Sequence, residues 1–380
     1  MAFRLLLLLL LLSACTSPPG HRNRLPTVTI LTGPDQLDPG ETALFRWQGY
    51  DADGLVTGYR YGIDETIPST WTESSSIRLS GIPSGNHVFY LVAVDDSGGY
   101  SLPAAHPFLV RGIAGIPCLG TDTTFELATW NLREFPLAAA PTIKLVAGMM
   151  LTLDLDIYAL QEISDTVAFR RLLNRLPGYR GLYSYDDYGS SYQKTGIVYR
   201  QTAISVQNVH QVFWENDSFP RPPLVMQMAA SEPAFSFSSQ LIVLHLKAGQ
   251  SSSDRARRAG ACRALKAYFD SLLVIGDSNI IAAGDWNDEL SDPPDQNVFL
   301  PLLSDSSRYR FLTLPLTRNP QQASYIPSSA LLDHIMTTAR FCPGRVRDST
   351  FTLRTDDVIP GYLEFVSDHR PVITIIRPSR

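Results

Sequence analysis

The sequence of 380 residues has few cysteines, no surplus of positive charge and no apolar run long enough to cross a bilayer. Each shortage excludes something. With 18% charged and 44% hydrophobic residues the composition is that of an ordinary folded chain, neither intrinsically disordered nor a polytopic membrane protein. Lysine and arginine number 32 against 37 aspartates and glutamates, a net charge of −5. That balance argues against tight, sequence-blind binding to a polyanion, which needs clustered cations. From Asp122 onward the balance is 25 against 27, so a local basic groove stays open there. No internal repeat is present, and a chain of this length is expected to form two domains.

What is present begins at the N-terminus. Arg4 precedes the apolar run Leu5–Leu12, and Leu12-Ser13-Ala14-Cys15 follows as a small-residue cleavage site. The tetrad resembles a bacterial lipobox. That resemblance implies removal of residues 1–14, lipidation of Cys15, and a protein exported and anchored to the bacterial membrane, at the cell surface or in the periplasm. An ordinary secretory signal is the alternative. Export permits disulfides, and three cysteines remain, so one is left over. Cys118 precedes the first strand of the second domain and Cys342 follows a late strand, so the two are candidates for a bridge; Cys262 sits in a helical pattern.

Residues 15–26 read as a polar tether. From 27 to 111, short strand-like runs such as Ala43–Trp47, Gly58–Tyr61 and His87–Val94 alternate with Gly, Pro and Asp turns. The spacing predicts an all-β sandwich of immunoglobulin or fibronectin type, similar to bacterial immunoglobulin-like domains. Asp51 and Asp53 beside Gly54 lack the further ligands of a calcium loop and read as a turn.

A Gly/Pro-marked linker, 112–121, leads into residues 122–378, where strand and helix patterns alternate as in an α/β domain. Helices are expected over Thr142–Leu151, Asp165–Leu176 and Ser253–Leu273. Polar residues stand just after nearly every apolar strand, where open α/β sheets build their sites. They are Asn131 in Trp-Asn-Leu-Arg, Glu162 in Leu-Gln-Glu, His245 in Leu-His-Leu-Lys, Asp285 and Asn287 in Gly-Asp-Trp-Asn, Asp333 in Leu-Asp-His, and Asp368 with His369 in Ser-Asp-His.

This set suits metal-assisted hydrolysis of a phosphate ester. Glu162, Asp368 and the Asn131 amide are hard oxygen ligands for Mg²⁺, Ca²⁺ or Mn²⁺, which would neutralise charge developing on phosphorus oxygens. Asp285 is placed to orient or deprotonate water, and Asn287 to donate to a phosphoryl oxygen. His369 is a cationic acid or phosphate ligand if Asp333 accepts its other ring proton.

The order of these motifs resembles the endonuclease/exonuclease/phosphatase superfamily over essentially all of 122–378. The resemblance implies a deoxyribonuclease I-like four-layer α/β sandwich with two packed mixed β-sheets flanked by helices. It carries metal binding onto Asn131, Glu162 and Asp368, and catalysis onto His245, Asp285, Asn287, Asp333 and His369. Phe219-Pro-Arg221-Pro-Pro resembles a segment of deoxyribonuclease-like members whose arginine contacts substrate phosphate, which makes Arg221 a phosphate clamp. Lys194, with Tyr188 and Tyr192, lies in a loop suited to gripping substrate. In place of a glutamate that deoxyribonuclease I sets against the first histidine, the nearest residue is Gln193, so His245 lacks the expected protonation partner.

Taken singly, each of these residues has a bland reading as a turn or a satisfied loop residue; six motifs in family order do not. His334 should face away from the site, and Asp254–Arg258 should be a solvated helix start, with Arg257 or Arg258 the residue that would meet substrate. The expected activity is a nuclease acting on DNA or RNA. A phospholipid or inositol-phosphate phosphoesterase is the first alternative and an inactive surface binding protein the second. Nothing points to an oligomer.

Overall fold

The computed structural model describes residues 23–38, 41–82, 84–185, 193–232, 235–276, 279–339, 341 and 349–377. Cys15 and the signal segment, Tyr188, Tyr192 and Cys342 lie outside them. Cys118 and Cys262 carry free thiols, so the proposed bridge from Cys118 is not formed. Among the described residues no helix is long and apolar enough to cross a membrane. The chain divides into two compact units, the smaller built from Leu44–Ile77, His87–Pro107 and the chain up to Gly33.

The N-terminal strands are β1 Thr27–Thr32, β2 Gln36–Leu37, β3 Thr42–Tyr50, β4 Val56–Ile63, β5 Thr70–Thr72, β6 Ser76–Ser80, β7 Gly85–Asp95 and β8 Ala104–Val110. They form a three-stranded sheet β1-β3-β6 and a five-stranded sheet β2-β8-β7-β4-β5. Inward alternation on β3 buries Phe45 and Trp47, and Phe45 of one sheet stacks on Phe89 of the other with ring centroids 4.0 Å apart. The Asp51–Gly54 stretch is a turn, with Asp53 N–H donating to Asp51 at 3.4 Å.

The larger unit holds two six-stranded sheets. The first, ordered β11-β12-β10-β9-β20-β19, comprises β9 Phe125–Phe135, β10 Ile157–Ile163, β11 Tyr179–Tyr183, β12 Lys194–Arg200, β19 Ser349–Thr352 and β20 Val372–Ile376. The second, ordered β13-β14-β15-β16-β18-β17, comprises β13 Ile204–Gln211, β14 Leu224–Glu232, β15 Phe235–His245, β16 Ile280–Asp285, β17 Tyr309–Phe311 and β18 Asp333–Thr338. Only β9/β10 and β15/β16 pair in parallel; every other pairing in these sheets is antiparallel.

The sheets face each other across one core that joins Leu127, Ile157 and Ala159 to Met226, Val243 and Ile281. Helices α1 Ala140–Leu153 and α2 Thr166–Leu173 cover the outside of the first sheet, and α3 Ser252–Val274 covers the second. The result is the expected four-layer sandwich. Asp165 caps α2 by accepting from the backbone N–H groups of Val167 and Ala168. Ser251 and Asp254 form a reciprocal capping box on α3, so the acidic start of that helix has a structural role. Arg258 is buried and donates to Asp288 at 2.8 Å while lining the cleft at the strand ends.

Candidate active site

Strand ends bring the motif residues together along one edge of the sandwich. In the second sheet His245 ends β15, Asp285 ends β16 and Asp333 begins β18, and the ladder places His245 opposite Asp285 and Asp285 opposite Asp333. In the first sheet Asn131 on β9 pairs with Gln161 on β10. Glu162 is skipped by the register of both neighbouring strands and takes φ +61°. That bulge turns its side chain toward the other sheet, as bulges beside active sites commonly do. Arg133 (φ +40°), Glu134 (φ +48°) and Asn287 (φ +54°) are also left-handed, a conformation that costs non-glycine residues about 1 kcal/mol or more each and gathers at functional sites.

Polar contacts knit the two sheets. The Asn131 amide donates to Glu162 at 3.2 Å and to Asp285 at 3.1 Å, while its oxygen accepts the Arg133 N–H at 2.9 Å. Ser367 donates to the Asn131 carbonyl at 2.7 Å and accepts the His369 N–H at 3.0 Å, which sets the Ser-Asp-His turn against β9. His369 Nδ1 lies 2.7 Å from Asp333 Oδ2, and its Nε2 lies 3.9 Å from Asp285 Oδ2. The Tyr325 ring packs against the His369 ring at 4.9 Å. A cleft of about 550 Å³ opens above these groups, lined among others by Arg133, Glu162, Gln193, Asn287 and Asp368.

The electrostatics separate the two histidines. Burial opposes charge on His369, but Asp333, Asp285 and Asp368 outweigh it and hold the imidazolium up to a pKa of about 10. Burial, aided by the charges of Arg221 and His369, keeps His245 well below the ordinary histidine value. Its Nδ1 is buried with no hydrogen-bond partner among the described residues, as the missing glutamate implied. Burial and the Asp333 carboxylate push Asp285 up to about 7, against the pull of His369, Asn131 and the Asn287 N–H.

Such crowding of carboxylates calls for positive charge. Carboxylate oxygens of Asp285 and Asp333 lie within 4.8 Å of each other and of His369, whose imidazolium answers part of that charge, and Asp333 Oδ1 is buried without a donor among the described residues. With Glu162 and Asp368 opening into the same cleft, the donor set is rich in hard oxygens and suits a divalent cation.

Residues 128–369 match the model of the Endonuclease/Exonuclease/phosphatase family. The chain belongs to this family. Among solved structures the family fold recurs in the human nocturnin catalytic domain with bound sulfate anion, at TM-score 0.50 and 18% identity over 67% of this chain and 94% of that one. It recurs also in D. rerio TDP2 complexed with a single-strand DNA product, at TM-score 0.51 and 13% identity over 67% and 99%. At those identities the likeness is one of fold. No curated protein matches the chain.

Family motifs and observed contacts do not coincide everywhere. Asn131, Glu162, His245, Asp285, Asn287, Asp333, Asp368 and His369 converge. Asn287 spends one amide donor on the Leu246 carbonyl at 3.2 Å, and Asp368 lies 3.6 Å from Arg133. Arg221 is positioned by its motif: Phe219 is buried, stacks on Phe213 at 4.6 Å, and leaves Arg221 to reach the Gln193 amide. Lys194 corrects an expectation. It is buried on β12 opposite Ile163 and does not line the cleft, because strand pairing begins at that residue. His334 is structural as expected, held between Thr313 and the Asp288 carbonyl. Sequence reasoning passed over Arg133 and Tyr325; the only sequence signal was their closeness to Asn131 and Asp333.

Proposed function

We propose that the chain is an exported, lipid-anchored, metal-dependent phosphodiesterase, foremost a nuclease hydrolysing DNA or RNA. The observation that carries this reading is the Asp333–His369 pair facing Asp285, with Asn131 and Glu162 across the cleft. In family members, which hydrolyse phosphoester bonds, these positions do the chemistry.

Glu162, Asp368 and the Asn131 oxygen would hold Mg²⁺, which supplies charge neutralisation at phosphorus oxygens. Asp285, near neutrality in its pKa, can take a proton from an attacking water. His369, kept cationic, binds the phosphoryl oxygen and stabilises the charge that develops there. Arg221 adds a permanent charge for the substrate phosphate. His245, held neutral, serves as a hydrogen-bonding group. The N-terminal sandwich is read as an immunoglobulin-like domain that follows a tether from lipidated Cys15.

A second reading, a phospholipid or inositol-phosphate phosphoesterase, is favoured by the cleft wall. Asp288, Glu289 and Asp292 line it, and burial with the neighbouring Asp288 raises Asp292 to about 6. Arg255 and Arg258 line the same wall and Arg258 pairs with Asp288, so the remaining acidic stretch suits the cationic choline of a phospholipid head group rather than a long polyanion. A parallel panel of plasmid DNA, RNA, sphingomyelin and inositol phosphates with Mg²⁺, with and without chelator, decides between them. Turnover of lipid alone would overturn the nuclease reading.

A further inference from the structure

The residue that departs from the deoxyribonuclease pattern is itself built into the site. Gln193 lines the cleft just before β12. Its Nε2 donates to Glu162 Oε2 at 2.9 Å, and its Oε1 accepts from the Arg221 guanidinium. Partner chemistry fixes the orientation of the amide: a guanidinium offers only donors and an ionised carboxylate only acceptors. Gln193 does not reach His245, whose Nδ1 has no partner among the described residues.

We propose that Gln193 is a positioning residue that couples the Arg221 phosphate clamp to the Glu162 carboxylate. The proposal rests on the phosphoesterase reading given above.

The physical case concerns charge. A glutamate at 193 would neutralise Arg221 and repel Glu162, so the guanidinium would meet a phosphate already paired. A neutral amide orients both groups with opposite ends of one dipole and adds no charge of its own to either. Glu162 gains from this, since its Oε2 already accepts the Glu134 N–H at 2.9 Å and its Oε1 the Asn131 amide. With Gln193 as the third donor, the carboxylate is held in one rotamer. Arg221 has a long flexible side chain, and the contact to Gln193 limits its excursions before substrate arrives.

The test uses the full chain with Gln193→Met, Gln193→Ala and Gln193→Glu, each checked by circular dichroism. Gln193→Met keeps the length without the dipole. Three readouts apply: Mg²⁺-supported hydrolysis of bis(p-nitrophenyl) phosphate, inorganic phosphate affinity by calorimetry, and Mn²⁺ affinity by electron paramagnetic resonance. Gln193→Met should raise KM and phosphate Kd roughly tenfold, the loss of one charge-assisted hydrogen bond, with kcat within about twofold. Mn²⁺ affinity should fall by roughly threefold to tenfold. Gln193→Glu should weaken phosphate binding further than Gln193→Met. Adding Gln193→Met to Arg221→Ala should cost nothing more in phosphate affinity, because the two act as one unit. Unchanged phosphate and Mn²⁺ affinities in a folded Gln193→Met, or additive losses in the double variant, would overturn the coupling. If the native chain hydrolyses no phosphate ester, the functional reading fails, while the two binding measurements still decide the role of Gln193.

Discussion

His369 Nδ1 and Asp333 Oδ2 are 2.7 Å apart although the residues come from different sheets of the sandwich, and both are almost wholly buried. Asp333 belongs to β18 in the second sheet, whereas His369 stands just before β20 in the first. The pair therefore ties the layers together at the point where substrate meets them.

That pairing should set the alkaline limit of activity. His369 stays protonated until pH approaches about 10, so activity that requires its cation should not decline on its account below that pH. Asp333→Asn removes the charge that opposes deprotonation. Its kcat/KM should fall by about 10² to 10⁴ and its alkaline limb should move several units lower. A pH–rate profile of native and Asp333→Asn protein checks both; an unmoved alkaline limb would refute the assignment.

The two histidines should differ in consequence. His245 is held neutral and has no partner on Nδ1 among the described residues, so His245→Gln should cost no more than about a hundredfold in kcat. His369→Ala should cost at least tenfold more than that. Equal losses measured side by side would restore His245 to general-acid duty.

Dependence on a divalent cation should trace to the oxygen donors. Dialysis against chelator should abolish turnover, and Mg²⁺ should restore it. Glu162→Gln and Asp368→Asn should each raise the Mg²⁺ concentration for half-maximal activity by roughly 10- to 100-fold, a titration that separates metal loss from misfolding.

Stability should depend on pH through a buried carboxyl pair remote from the cleft. The Glu126 N–H donates to Asp156 at 3.0 Å between β9 and the start of β10. Burial, with the Asp156 charge adding to it against the Thr124 hydrogen bond, raises Glu126 to about 8, and Asp156 is raised too. A carboxyl raised in the folded state stabilises fully below its ordinary value near 4.3, and this is lost as pH climbs through about 8. Thermal melts should therefore show Tm falling from pH 5 to pH 8. Glu126→Gln should flatten that slope and raise Tm at pH 8.

Much of the site was legible because local chemistry repeats along the chain. Apolar runs ending in Glu162, His245 and Asp285 marked strand ends, whereas Asn131 lies within β9 and Asp333 opens β18 instead of following a strand; even so, only one class of site needs that set. The helix start at Asp165 was equally plain, since caps act within four residues, whereas the long helix was expected from Ser253 and is capped earlier, by Ser251. Lys194 misled because it follows a Tyr- and Ser-rich stretch that reads as a loop, whereas ladder pairing with Ile163 draws it inside. Arg258 does line the cleft, one of the two arginines expected to meet substrate, but its partner Asp288 lies 30 residues on and could not be foreseen.

By itself, then, the order of residues determined the layered α/β class, the strand-end placement of the polar groups and the chemistry available to them. These depend on periodicity and side-chain type, which are local. The motifs had already implied Asp333 as the partner of His369 and a missing partner for His245; tertiary structure alone decided that Gln193 serves both Arg221 and Glu162, and how deeply each group is buried. Protonation follows from those partners and from burial, because in a dry site one neighbouring charge shifts a pKa by several units. No spacing along a chain encodes that.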